Sequence, residues 1–335
     1  MNRVCAKDVY IMTEEIQDNG RTVHSIKVPT SSDLASFNFY LVEEEGQLSL
    51  IDAGINSGKC WEAFTHLLNC KGFSFEDLER IIITHNHEDH VGLVDRIVAK
   101  RNIPVYVPDK SIHRLKRDKD FFRMRIEFFA RLYKEMGCGE AGEKQIRKLE
   151  DAFENHDKKR IQADLTPIDH ETIAGLELIP TPGHSPDHLV FLDREREWLF
   201  GGDLLIDHIS SNALVEPDRE GVRIKTVLEL EKSLKKLRSY NVQVVFPGHG
   251  ELIENPKDLI EVRLDGIKRK ADKVLDHVKN GVETASELAQ TMYRGKYESQ
   301  FSLVMSEIIG HLDYLEGHEK VTKEIRDGVW WYRAI

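Results

Sequence analysis

Cysteine is scarce in this chain. Its four cysteines in 335 residues, Cys5, Cys60, Cys70 and Cys138, are scattered with no close pair. That excludes a disulfide framework as the source of stability. Long apolar runs are also missing: no stretch of about 18 apolar residues occurs, so no membrane span is expected. The start, Met1-Asn2-Arg3-Val4-Cys5-Ala6-Lys7-Asp8, lacks the apolar core of a signal peptide. The expectation is therefore a cytoplasmic protein. Basic residues are not in excess either. The formal net charge of −11 argues against holding nucleic acid by bulk electrostatics, though it leaves room for a local basic patch. What remains is an ordinary globular composition, 40% hydrophobic and 31% charged, long enough for one large core plus a smaller domain.

Against this background one loop stands out. Thr84-His85-Asn86-His87-Glu88-Asp89-His90 directly follows the apolar triplet Ile81-Ile82-Ile83. Imidazole and carboxylate are ligands that borderline divalent metals favour, zinc first. Alternate spacing lets His85 and His87 point to one side of an extended chain, while Asp89 and His90 turn toward a second position. A catalytic zinc takes three protein ligands and keeps one position open. The loop thus offers too much for one metal and too little for two, and it predicts partners further along. Candidates are His184 in Pro180-Thr181-Pro182-Gly183-His184-Ser185-Pro186-Asp187-His188, Asp203 ending Trp198-Leu199-Phe200-Gly201-Gly202-Asp203, and His249 in Val244-Val245-Phe246-Pro247-Gly248-His249-Gly250. Each follows a strand-like run and is flanked by Gly or Pro, the form expected of a ligand on a tight loop at a strand end. Asp52, ending Leu48-Ser49-Leu50-Ile51-Asp52, and His188 are candidates to orient a ligand from behind, or simply turn residues.

These five segments, in this order, resemble the metallo-β-lactamase superfamily over about residues 20–255. The resemblance implies an α+β fold, the αββα sandwich of that family. It implies two divalent metal ions, with His85, His87 and His184 on one, Asp89, His90 and His249 on the other, and Asp203 bridging. A hydroxide bridging the metals would attack a carbonyl carbon or a phosphorus, and Asp89 would be the catalytic residue that orients it. The His-x-His-x-Asp-His pattern with a bridging Asp is similar to the glyoxalase II, RNase Z and lactonase branches. His87 stands where the diiron flavoproteins carry Glu, which favours zinc, although residue types alone also admit iron or manganese. A β-lactamase acting on antibiotics would normally need export, which the expected cytoplasmic location argues against.

The rest of the chain divides readily. Strands are expected at Val9–Met12, Val23–Val28, Phe37–Val42 and Leu48–Ile51, with a hairpin turn at Glu45-Gly46. Ser57 caps a helix running to Cys70 and ended by Gly72. A second helix, Val91–Arg101, leads to a strand at Val105–Val107. Residues 109–165 form an insert of one or two amphipathic helices rich in Phe, Arg, Lys and Glu, with Gly137, Gly139 and Gly142 as breaks that allow hinge motion. It would either pack on the sandwich or in a homodimer contact, or wall the metal site. Residues 1–255 would then be the hydrolase domain. Residues 256–335 would form a small winged-helix-like domain: a helix at Leu259–Val278, a capped helix from Thr284 with Glu287, a helix at Ser302–Leu315 and a closing hairpin from Lys320 to Arg333. This layout resembles the lactamase-β-2-like group, some of whose members act on single-stranded RNA. The third helix carries no Arg or Lys, so packing or docking, including dimer contact, is favoured over groove reading.

Three functions follow. The first is hydrolysis of a small-molecule ester, thioester or lactone. The second is a metal-dependent phosphodiesterase or endoribonuclease, for which Arg114, Lys116, Arg117, Arg123, Arg125 and Arg131 would supply a basic track. The third is a non-catalytic metal-binding scaffold. His208, Ser211 and Asn212, in the loop after Asp203, are candidate substrate contacts by position.

Overall fold

The computed structural model describes residues 14–335. The strand expected at Val9–Met12 lies outside the described residues. Seven strands make the first sheet, in chain order: β1 (Glu15–Asp18), β2 (Arg21–Pro29), β3 (Ser36–Glu44), β4 (Gln47–Ile51), β5 (Leu78–Ile82), β6 (Val105–Val107) and β7 (Leu165–Pro167). The second sheet has β8 (Thr172–Ile173), β9 (Leu176–Pro180), β10 (Leu189–Asp193), β11 (Trp198–Gly202), β12 (Val244–Pro247) and β13 (Ile253–Glu254). Helices are α1 (Gly58–Lys71), α2 (Glu88–Val91), α3 (Val94–Val98), α4 (Ile112–Leu115), α5 (Lys119–Glu135), α6 (Gly139–Glu154), α7 (Thr226–Arg238), α8 (Lys257–Lys279), α9 (Ala285–Met292) and α10 (Phe301–Gly317). A terminal hairpin joins β14 (Val321–Arg326) to β15 (Val329–Ala334).

Alternation along the strands sorts side chains into layers. In β3, Tyr40 and Val42 face the second sheet's Phe191, Phe200 and Phe246 and form the inter-sheet core. Their neighbours Phe39 and Leu41 point the other way, onto Phe64 and Leu67 of α1 and Val94 and Ile97 of α3. In β11, Phe200 faces inward, while Leu199 joins Leu230 and Leu234 of α7 and Ile267 of α8 outside. Two sheets covered on both outer faces by helices make the expected αββα sandwich. The hairpin at Glu45-Gly46 forms with both residues at positive φ, and Ser57 and Gly72 cap α1 as expected.

Two local expectations are corrected. Val91–Arg101 is not one helix: α2 starts earlier, at Glu88, and the chain breaks at Gly92-Leu93 before α3. The amides of Gly92 and Leu93 bond the carbonyls of Gly54 and Ala53 (2.8 and 3.1 Å) and not the preceding helical turn. Gly92 lies so close to the loop after β4 that a Cβ there would sit 2.1 Å from the Asn56 nitrogen. Gly142 is likewise no break. It lies within α6, where a Cβ would come within 2.9 Å of Tyr133, so its bareness serves close packing on α5. Gly137 and Gly139, both at positive φ, do make the turn between α5 and α6.

The region after residue 256 forms the expected three helices and hairpin, with the Thr284–Glu287 capping box. It shares a continuous apolar cluster with α5, α7 and the outer face of the second sheet. Ile308 of α10 is fully buried in that cluster. Ile308→Ala should cost about 2–5 kcal/mol. In denaturant titration it should shift a single transition, because the shared cluster couples both regions; a separate early transition would show that they unfold independently.

Candidate metal centre

The site is built at the carboxyl ends of strands, where loops following β4, β5, β9, β11 and β12 meet. Parallel pairing of β4 with β5 and of β11 with β12 brings these ends to one edge of each sheet. All seven expected ligands converge there. His85, His87, His184 and Asp203 form one group, and Asp89, His90 and His249 a second; within each group the ligand atoms lie within 4.8 Å of one another. His87 Nδ1 and His184 Nε2 are 3.0 Å apart. Asp203 Oδ2 stands 3.3 Å from His184 Nε2 and 3.2 Å from His249 Nε2, so it touches both groups. Asp203 Oδ1 is 3.3 Å from His90 Nε2, and Asp89 Oδ2 is 3.5 Å from His249 Nε2.

The residues pass a direct test for metal. Nitrogen and oxygen ligands on one tetrahedral zinc stand about 3.3 Å apart, close to these separations. Four of the converging atoms, Nε2 of His85, His90 and His249 and Oδ1 of Asp203, are buried without a hydrogen-bond partner. Unpaired buried polar atoms are costly, and a cation would satisfy all four.

Behind four of the five candidate histidines, His85, His90, His184 and His249, the ring nitrogen that faces away is held by the protein. Asp52 Oδ2 bonds His90 Nδ1 at 2.7 Å, and Asp52 also accepts from the Thr84 amide and hydroxyl. Thr84 Oγ1 in turn meets His85 Nδ1 at 3.0 Å, so one carboxylate orients two rings. The Ser36 carbonyl holds His249 Nδ1 at 2.8 Å. His188 Nε2 accepts the Asp203 amide at 3.0 Å, so it positions Asp203 through its backbone. The Asn212 carbonyl and the Ser211 hydroxyl hold His184 Nδ1 (3.0 and 3.2 Å). Ser211 and Asn212, expected as substrate contacts, thus stand behind His184. His208 is not at the cavity: its Nε2 bonds the Asp33 carbonyl at 2.9 Å.

Burial holds the rings of His85, His87 and His184 below the usual imidazole range, His184 down to about 4, in the neutral form that ligates metal. Burial also disfavours charge on His90, but Asp52 and Asp203 outweigh it and hold that ring well above its usual value. Burial opposes ionisation of Asp203, and His90 and His249 outweigh it, keeping the carboxyl well below its usual range.

A cavity of about 390 Å³ opens on this cluster, lined by His87, Asp89 and His184 together with Leu115, Phe122 and Ile161 of the insert. The insert both packs and lines the cavity: Phe128, Phe129 and Leu132 join the outer core, and Leu115, Phe122 and Ile161 wall the cavity. Of the six basic residues proposed as a track, Arg114, Arg117 and Arg125 line the cavity. Lys116 instead caps the carbonyls of residues 161–163, Arg123 pairs with Asp120, and Arg131 reaches the Gly221 carbonyl. Two residues the motif reading passed over, Asp187 and Ser111, tie these parts together. Asp187 is buried and accepts from Asn86 (2.6 Å) and from Ser111, joining the metal loop to the insert. The signal of Asp187 was its place between His184 and His188.

The sequence model of the metallo-beta-lactamase superfamily matches residues 36–249, which contain every converging residue. The chain belongs to this superfamily. A Bacillus subtilis relative named "Probable metallo-hydrolase YqjP" is 30% identical over 315 residues, 93% of this chain and 98% of that protein. A shorter match, 31% over 107 residues, joins 32% of this chain to 30% of an Aspergillus fumigatus atrochrysone carboxyl ACP thioesterase. Among solved structures, a metallo-beta-lactamase family protein from Thermus thermophilus aligns with a TM-score of 0.73 at 23% identity, covering 93% of this chain and 98% of its own; this likeness shows the fold. As a metallo-β-lactamase superfamily member with a metallo-hydrolase relative along nearly its whole length, the chain is a hydrolase. No helix among the described residues is long and apolar enough to cross a membrane.

Asp52→Ala should weaken metal binding about 10–100-fold, because two ligand rings lose their orienting partner; competition with a chelator measures it. A second expectation concerns acid stability. Burial alone would raise the Glu216 carboxyl, but Arg125 and Arg114 outweigh it and lower it to about 2. A depressed carboxyl contributes stability above its unfolded value, and this is lost as pH falls toward 2. Glu216→Gln should flatten that acid limb in pH-dependent denaturation.

Proposed function

We propose that this chain is a hydrolase with two divalent metal ions that cleaves a small-molecule ester, thioester or lactone. The observation that carries the reading is the convergence of seven ionisable side chains, four of whose buried atoms lack a hydrogen-bond partner. In this reading His85, His87 and His184 hold one ion, Asp89, His90 and His249 hold the other, and Asp203 stands between them. A ligand set of imidazole and carboxylate without thiolate suits zinc. Such ions, when bound, polarise the oxygen of a scissile carbonyl and lower the pKa of water.

The chain's own residues supply orientation and enclosure. Asp89 lines the cavity, so its carboxylate is placed to accept a hydrogen bond from an attacking water and direct the remaining lone pair at substrate. Asp52, through His90 and Thr84, keeps two rings from turning. Leu115, Phe122 and Ile161 take an acyl group and exclude bulk solvent. No protein nucleophile is required.

Two observations favour a carbonyl substrate over a nucleic acid. Most of α10 is buried, including Ser306, His311 and Asp313, so it is a packing helix with no face to read a groove. Arg114 and Arg125 are both engaged by Glu216, which breaks up any basic track. The thioesterase relative supports the same side.

Elemental analysis of the purified protein should find about two zinc ions per chain. Asp89→Ala should lower turnover of thioesters or lactones by about 10²–10⁴-fold. Asp89-dependent cleavage of single-stranded RNA or bis-p-nitrophenyl phosphate, with carbonyl substrates untouched, would move the assignment to a phosphodiesterase. No bound metal and no activity restored by metal would remove the catalytic reading.

A further inference from the structure

Arg117 sits in an unusual backbone position. It follows α4 with φ at +52°, the left-handed region that helix ends usually leave to Gly or Asn. The Asp118 amide closes the turn on the His113 carbonyl at 2.9 Å. A long side chain in this conformation is disfavoured, and such positions persist where surrounding structure fixes them, often at sites that bind ligands. Here the guanidinium lies 5.2 Å from the centre of the Phe122 ring and bonds Glu88 Oε1 at 3.2 Å. All three residues line the cavity beside the metal centre.

Charge and exposure together single out the same place. Four cations line the cavity: Arg114, Arg117, Arg125 and Lys159. Apart from Asp89, the lining acids are Glu88 and Glu216. Glu216 is buried and takes both Arg114 (3.1 Å) and Arg125 (2.8 Å), so that triad is closed to a ligand. Arg117 and Lys159 (2.7 Å) share the other acid, Glu88. One carboxylate against two cations leaves positive charge in surplus. The Glu88 side chain is 55% exposed, so an incoming anion can displace it. Glu88 also lies between His87 and Asp89 in the chain, which puts the surplus next to the metal groups.

We infer that Arg117 and Lys159 bind a carboxylate carried by the substrate, for which the side chain of Glu88 is the internal stand-in. The substrate class is then an ester, thioester or lactone with a free carboxylate remote from the scissile bond. Its acyl chain would lie along Leu115 and Phe122. The inference rests on the hydrolase reading above and narrows it. Arg117 is a specificity-determining residue in this scheme, since a planar guanidinium suits a carboxylate better than an ammonium does.

The test compares two p-nitrophenyl esters of equal chain length, the glutarate monoester with its free carboxylate and the neutral valerate. The metal-loaded wild type should show kcat/KM at least about tenfold higher for the glutarate ester, with the preference falling as salt rises. Arg117→Ala should reduce that preference about tenfold, and Arg117→Lys should retain part of it. A wild type without preference, or an Arg117→Ala protein that loses both esters equally, would overturn the inference and leave Arg117 as a latch between insert and metal loop. If neither ester is cleaved, the hydrolase reading is in question and the subsite is read by binding. Butane-1-sulfonate, a poor metal ligand, should then raise the melting temperature of wild type but not of Arg117→Ala. The same response in both, or none in either, would overturn the subsite as well.

Discussion

Asp203 is a carboxylate taken out of water, and that constraint shapes the centre of the molecule. Its cost runs to several kcal/mol unless opposite charge and hydrogen bonds surround it. Three rings, His90, His184 and His249, stand within 3.3 Å of its oxygens, and His188 holds its amide. Those rings come from three separate loops, and Asp203 itself from a fourth. Only an arrangement that brings the carboxyl ends of β5, β9, β11 and β12 to one edge can gather them. The sandwich is therefore not a neutral carrier. Two of its parallel pairings, β4 with β5 and β11 with β12, point the right strand ends at one another.

The ligand set was readable in the chain because the chemistry is concentrated there. Four candidate ligands fall within the six residues 85–90, just after Ile81-Ile82-Ile83, and His184, Asp203 and His249 each sit beside Gly at a strand end. What holds those ligands was only partly readable. Asp52 and His188 were visible as polar residues next to a motif. Ser36 and Asn212 act through main-chain carbonyls, which every residue possesses, so no residue type announces them. Ser211 shows how little position alone specifies: its hydroxyl meets His184 Nδ1 from behind, a contact no residue type announces.

The same distinction explains the fold. The strands themselves were legible as apolar runs, and alternation along β3 and β11 puts Tyr40, Val42 and Phe200 on the inter-sheet core. The break at Gly92 was hidden because the competing hydrogen-bond acceptors, the carbonyls of Ala53 and Gly54, lie almost forty residues earlier in the chain. Within the insert, a density of Arg, Lys and Glu reads equally as a solvated face or a binding wall. The answer depends on Glu216, about ninety residues beyond Arg125. By taking up Arg114 and Arg125, it separates cations that brace the wall from cations still open to a ligand.

The C-terminal helices bear on the site through the loop that follows Asp203. Arg263 of α8 donates to the carbonyls of Ile206 and Asp207 at 2.7 and 2.6 Å. Ser306 of α10 accepts the Val215 amide, and Asp313 takes Arg223 at 2.7 Å. Between those anchors lie Ser211 and Asn212, which fix His184, and Glu216, which fixes two cations of the cavity wall. A loop of this length would otherwise fluctuate, and the ligand and wall it supports would fluctuate with it. The buried faces of α10 are thus explained without a nucleic acid. Its Ser306 and Asp313 hold Val215 and Arg223 in place, and the composition that denied it a groove-reading role, with no Arg or Lys, is what allows it to be buried.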